Sequence, residues 1–474
     1  MFFLPAQKIE RPSTPVPSFI LTDTGSTFDN TVSLTGSTKL TRSLDARLTK
    51  LKLSLGEHHP DVVCTLSAIA DASLHNGDYD AAMQYYTQAL DGAKQCFPAG
   101  HPKAADILCS IGNTSMKLSM YGESKSNFNA ALKIYRSAFT DRSWTSDADG
   151  MMQHVEFKLQ HKIASTLASL GSVEFAEKKY SASSKLFQEA LLAAKRAAVT
   201  GVALDRIKPS NPSNKSTYLR EARLFVSEMF NNIASVSAEQ GDKAAAIKNY
   251  NSALALQIQE MGEDHSSVAC TLHNIGTMHY RSGEYQLALK SYKQVLKMRR
   301  YLFSNEDIRI AEVLLNIGAV HEKANEIERS VSAISAAYRI SAKHYGERSV
   351  PCAEINASLG SLYARSGCNK LALDYYDMAL EIYKFEGLAK SDQTVKSVLE
   401  AINFVQKKSQ SQVQAEQTSG VLSATENWLT LFGNYCGSMC IPNNSDDGQW
   451  VGPEMTTSPL IQSHNIVNPT SVAV

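Results

Sequence analysis

A recurring spacing of 42 residues limits what this chain can become more than any other feature. Gly318 and Gly360 follow Gly276 at that interval, and Ala234 stands 42 residues before it. Gly112 lies 42 residues after Ala70. Gly171 falls 59 after Gly112 and Ala234 falls 63 after Gly171, which is one period plus insertions of 17 and 21 residues. Around Gly276 the residues Leu272, Ile275, Gly276 and His279 share one helical face. Tyr285, Ala288, Leu289, Tyr292, Val295 and Leu296 share another, beyond a break at Gly283. Each helix is short and buries one stripe, so a single pair has no stable existence without a neighbour.

The second helix of each period checks the register. Nine, twelve, sixteen and twenty residues past an anchor the pattern calls for an aromatic, a small, an aromatic and an apolar residue. Gly112 gives Tyr121, Ser124, Phe128 and Leu132; Gly171 gives Tyr180, Ser183, Phe187 and Leu191; Gly276 gives Tyr285, Ala288, Tyr292 and Leu296. Ala70 gives Tyr79, Ala82, Tyr86 and Leu90; Ala234 and Gly360 follow with small departures, and Gly318 is the weakest, with Ile327, Ser330, Ile334 and Tyr338. Repeats of this size stack nearest neighbour on nearest neighbour. The expected fold is all-α, a right-handed solenoid of about seven helix pairs with capping helices.

The pattern resembles the tetratricopeptide repeat. Its 42-residue period and the linkers Leu55-Gly56-Glu57-His58-His59-Pro60 and Met261-Gly262-Glu263-Asp264-His265 are similar to the kinesin light chain type of that repeat. The resemblance covers Thr38 to Lys408 and implies a superhelix whose inner wall holds peptide segments of other proteins.

Three regions follow. Residues 1–37 are rich in Ser, Thr and Pro without apolar periodicity and read as disordered, with Thr14-Pro15 in a proline-directed phosphorylation context. Residues 38–408 form the repeat array, opened by a capping helix over 39–55 that supplies half a repeat and closed by another over 394–408. Residues 409–474 hold five acidic residues and no lysine or arginine, and read as a mostly disordered acidic tail. The array carries a net charge of +6 against −5 for this tail. The insertions, near 141–153 and 200–216, are expected as loops.

No catalytic motif, nucleotide-binding glycine loop or apolar membrane span stands in the sequence. A neutral net charge gives no nucleic-acid footprint. Scattered cysteines without disulfide or metal spacing point to a reducing, cytoplasmic setting, and His58, His59 and His265 read as structural rather than as metal ligands. No cofactor is implied. A catalytic reading fails for want of a second domain. A co-chaperone reading wants basic clamp residues where Glu228, Glu312 and Glu354 stand. A nucleic-acid reading wants a basic groove.

The remaining reading is a scaffold or adaptor that binds partner peptides along the first helices. Cys270, Asn274, Thr277 and Arg281 recur opposite the apolar stripe of the anchor repeat. Their equivalents are Glu228, Asn232, Ser235 and Glu239; Glu312, Asn316, Ala319 and Lys323; and Glu354, Ser358, Ser361 and Arg365. Asn232, Asn274 and Asn316 would form an asparagine ladder able to hold a peptide main chain, and in the resembled family asparagines at this position do so. Arg281, Lys323 and Arg365 would complete the groove. The sharpest version is a kinesin light chain-like cargo adaptor, although residues 1–37 hold no heptads for binding a motor. Trp428 and Trp450 beside acidic residues suggest that the tail docks in its own groove.

Overall fold

The computed structural model describes residues 34–140, 151–207 and 217–419. All regular structure among them is helical. The helices divide into two units at Glu263/Asp264.

The N-terminal unit holds α1 (Leu34–Leu55), α2 (Pro60–His75), α3 (Tyr79–Cys96), α4 (Pro102–Lys117), α5 (Tyr121–Thr140), α6 (Met151–Ala176), α7 (Tyr180–Ile207), α8 (Thr217–Glu239) and α9 (Lys243–Met261). The C-terminal unit holds α10 (Ser266–Arg281), α11 (Tyr285–Leu302), α12 (Ile308–Lys323), α13 (Ile327–Tyr345), α14 (Val350–Arg365), α15 (Asn369–Phe385) and α16 (Gln393–Ser419). Within each unit every first helix packs on its own second helix, and that helix packs on the next first helix. This is the α-solenoid arrangement anticipated from the period.

The anchors explain themselves. A Cβ built on Gly112, Gly171, Gly276 or Gly360 would sit 2.8–2.9 Å from the ring sixteen residues later, that of Phe128, Phe187, Tyr292 or Tyr376. On Gly318 it would sit 2.5 Å from Ile334 Cγ1. The missing side chain lets the ring press against the helix backbone. Phe128 and Phe187 are fully buried, a contribution of about 1.5–3 kcal/mol each. Where the small residue at +12 is serine, it donates to the anchor carbonyl: Ser124 to Gly112 at 2.7 Å, Ser183 to Gly171 at 2.8 Å and Ser330 to Gly318 at 2.7 Å.

Turns and caps repeat as faithfully. The residue seven past every anchor is left-handed: Gly77, Gly241, Gly283 and Gly367, but also Ser119, Lys178 and Asn325, with φ near 60°. The linker histidines cap the first helices. His59, His101 and His265 accept the backbone N–H of Asp61, Lys103 and Ser267 through Nδ1 at 3.1–3.2 Å. Asp307 does the same for Arg309 at 2.9 Å. Side chains that accept from the first turn satisfy donors the helix cannot. In the next unit of the repeat, His279 and His321 bridge the intra-pair turn to Glu284 and Glu326 at 2.5 and 2.6 Å.

The structure moves several boundaries. α1 begins at Leu34, so the first segment is helical from there; α1 covers α2, with Leu44, Leu48 and Leu51 on the first core cluster, as a half repeat should. α16 continues to Ser419, eleven residues into the region expected as tail. Residues 151–153 and 200–207 are helix rather than loop. α6 runs 26 residues and α7 28, against 16 and 18 for α10 and α11. The inserted sequence is apolar at helical spacing, and Phe157, Ala197, Leu204 and Ala222 close a core of their own. Gly201 lets α7 approach the α8 backbone, where a Cβ would meet Tyr218 at 3.2 Å. Residues 1–33, 141–150, 208–216 and 420–474 lie outside the described residues, and with them Thr14, Trp428 and Trp450.

Candidate peptide-binding face

Four positions of each first helix point away from its apolar stripe: six and two before the anchor, one after it, and five after it. The structure treats them differently.

The +1 position belongs to the scaffold. Thr277 Oγ1 donates to the His273 carbonyl at 3.0 Å and accepts from the Tyr292 hydroxyl at 2.9 Å. Ser235 and Tyr250 pair at 3.0 Å, and Asp71 accepts from Tyr86. The Ser361 hydrogen bond pulls the Tyr376 phenol down against the rise that burial causes. The repeat with Ile334 in place of the phenol has Ala319 here. A buried phenol needs a partner, and this residue supplies it. Thr277, expected on the binding wall, is therefore an internal hydrogen-bond partner, because its helix rotation aims it at the second helix of its own pair.

The −2 position is mixed. Asn232 is 7% exposed and lies in the N-terminal unit. Asn274 and Asn316 are half-buried and lie in the C-terminal unit. Asn316 hydrogen-bonds His273 at 2.7 Å, linking α12 to α10. Burial drives the His273 imidazole down to about 4, with a hydrogen bond to Asn274 opposing the fall. His273 is therefore neutral and tied to two asparagines. The open ladder of three asparagines gives way to a buried residue and a histidine-linked pair.

The +5 position is the exposed one. Arg281, Lys323 and Arg365 are all exposed. Arg365 reaches back to Glu322 at 2.8 Å.

The −6 position carries the charge. Asp106 accepts from Tyr135 at 2.5 Å and meets Lys162 at 3.2 Å. Glu312 meets Arg299 at 3.1 Å. Arg299 is 8% exposed and its guanidinium also donates to the Arg309 carbonyl. It lies beside Cys270, whose thiol burial pushes up and Arg299 pulls back. Burial raises the Glu354 carboxyl. Glu228 is lifted to about 8 by burial alone. Tyr135 and Arg299 were not singled out from the sequence. Both stand 23 residues after an anchor, where the first and third repeats carry Ala93 and Ala194. That contrast was the available signal.

Among the described residues no group of three or more His, Cys, Asp or Glu could hold a metal ion, and no helix is long and apolar enough to cross a membrane. The described cysteines are free.

Sequence comparison adds the family. Models described as tetratricopeptide repeat match residues 225–300 and 65–97. No curated protein matches the sequence. Among solved structures, the chain is similar to the quorum sensor NprR from B. thuringiensis, with 13% identity, 73% of this chain and 83% of that chain covered, and a TM-score of 0.49. It is similar to BtubC (BKLC) from P. vanneervenii at 15% identity, covering 56% and 92% with a TM-score of 0.40. A TPR repeat-containing protein from Cytophaga hutchinsonii aligns at 13% identity, covering 70% and 98%, with a TM-score of 0.38. These structural likenesses decide nothing about function. The matched segments fall in register with the anchors, ring pockets and turns described above, and residues 65–97 and 225–300 are tetratricopeptide repeats.

Proposed function

We propose that this chain is a non-catalytic scaffold that holds peptide segments of partner proteins against the first-helix faces. The observation that carries this reading is the division of labour among the first-helix positions. The +1 residues are tied into the fold, whereas Arg281, Lys323 and Arg365 stand exposed in one register beside the half-buried Asn274 and Asn316. Long cations next to amides suit an extended segment with acidic groups and an accessible main chain. The finer reading is a kinesin light chain-like cargo adaptor working in the cytoplasm, supported by the 42-residue period and the His-Pro linkers. The acidic tail competing for the same face is part of that reading and rests on charge alone.

Panning a library of short capped peptides on the immobilised chain tests it. The wild type should retain a defined set, and a variant carrying Arg281→Ala and Lys323→Ala, both exposed, should lose most of it while melting like the wild type. Equal recovery by both chains would refute the site. Deleting residues 420–474 should raise peptide affinity if the tail competes, and unchanged affinity removes that part.

A further inference from the structure

The carboxylates of the −6 row are not alike. Asp106 has Lys162 at 3.2 Å, and Glu312 has Arg299 at 3.1 Å. In both, the chain itself supplies the cation. Glu228, at the same position on α8, has none among the described residues: its Oε2 is enclosed and without a hydrogen-bond partner. Glu312 receives Arg299 from 23 residues past the preceding anchor, and the equivalent residue for Glu228 is the buried Ala194, which carries no cation. Three nearby cations have other partners. Arg223 binds Glu260 at 2.8 Å, Lys195 lies over the Phe230 ring, and Lys162 holds Asp106. The residue as a whole is half-buried, so part of it lies at the surface of the first-helix face while its Oε2 is enclosed.

We propose that Glu228 is a cation-accepting point on the first-helix face, and that its carboxylate receives the ammonium or guanidinium group of a lysine or arginine in a bound peptide. The assignment rests on the peptide-binding reading above and gives it a chemical preference. An enclosed carboxyl with no partner is destabilising. A purely structural carboxyl would be expected to donate or accept within the fold, and the Oε2 of Glu228 does neither. Asp106 and Glu312 show what completes such a group: one cation about 3 Å away. Burial also keeps Glu228 largely protonated in the free chain, so an arriving cation would displace its proton.

The test uses the full chain immobilised and four pools of short capped random peptides, with one central position fixed as Lys, Arg, norleucine or Glu. The wild type should retain the Lys and Arg pools about tenfold over the norleucine pool, the size of one charge-assisted hydrogen bond. Glu228→Gln should bring the ratio to near one and leave norleucine retention unchanged. Glu221→Gln, an exposed carboxylate on the same helix outside the four face positions, should behave as wild type. Helix circular dichroism confirms folding, and Glu228→Met repeats the test with no polar group at all. A wild type without basic preference overturns the assignment, as does a preference that survives in Glu228→Gln. Folded variants that lose every pool alike overturn it too, since the effect is then not cation-specific. If the wild type retains no pool of any kind, the peptide-binding reading falls and this assignment with it.

Discussion

Replacing Glu228 by glutamine should remove a large pH dependence from the N-terminal unit. The folded carboxyl is raised from 4.5 to about 8 by burial. Below pH 4.5 the group is neutral both folded and unfolded, so nothing is lost. Between 4.5 and 8 the folded chain keeps a proton that the unfolded chain has released, and stability falls as pH rises. At about 1.4 kcal/mol per pH unit, the full loss is at most about 5 kcal/mol. The neutral amide of Glu228→Gln has no such term. The stability of the variant minus that of the wild type should therefore grow by about 4 kcal/mol from pH 5 to pH 8. Taking the difference removes groups common to both chains, such as His161, which titrates in the opposite sense. Repeat arrays need not unfold in one step, so the assay of choice is hydrogen exchange of the α8 amides, with urea melts as support. A difference that stays flat between pH 5 and 8 would refute the reasoning. It would mean that the carboxyl is solvated or paired in solution.

Three further outcomes follow from single contacts. His161 and His273 are both held near 4 by burial, so each should stay neutral at pH 5 in an NMR ring titration. Their stabilising effect is complete above the unfolded value near 6.5, and as pH falls from there to 4 it drops by up to about 3 kcal/mol each. Lys178 is left-handed at φ 61° where four other repeats use glycine. Lys178→Gly should raise stability by about 0.5–1 kcal/mol in urea melts, and Gly283→Ala should lower it by about 1 kcal/mol. Thr277→Val leaves the Tyr292 hydroxyl without its 2.9 Å partner and should cost about 1–2 kcal/mol. Adding Tyr292→Phe should recover part of that, and additive losses in the double-mutant cycle would deny the pairing.

How much of this was legible depends on whether a property repeats. The anchor spacing, the ring sixteen residues later and the linker histidines recur at fixed offsets, and recurrence alone located the helix pairs, their order and their turns. Helical periodicity is a local property of the chain, so sequence carries it directly. The left-handed +7 position was legible only where it is glycine; at Ser119, Lys178 and Asn325 the turn imposes a conformation the residue does not announce. The lengthening of α6 and α7 was written in apolar residues spaced for a helix, but their count exceeded the period and read as a loop. The candidate site was least legible. Thr277, Asn274 and Arg281 share one helical face in projection, yet Thr277 pairs with Tyr292, Asn274 with His273, and Arg281 stands exposed. Glu228 and Glu312 occupy the same repeat position, and one is paired while the other is enclosed alone. Such differences arise from which side chain reaches across from a neighbouring helix, a contact between residues far apart in the chain. Sequence alone determined that helix pairs stack; only packing decided which polar groups are satisfied within the stack and which remain for another molecule.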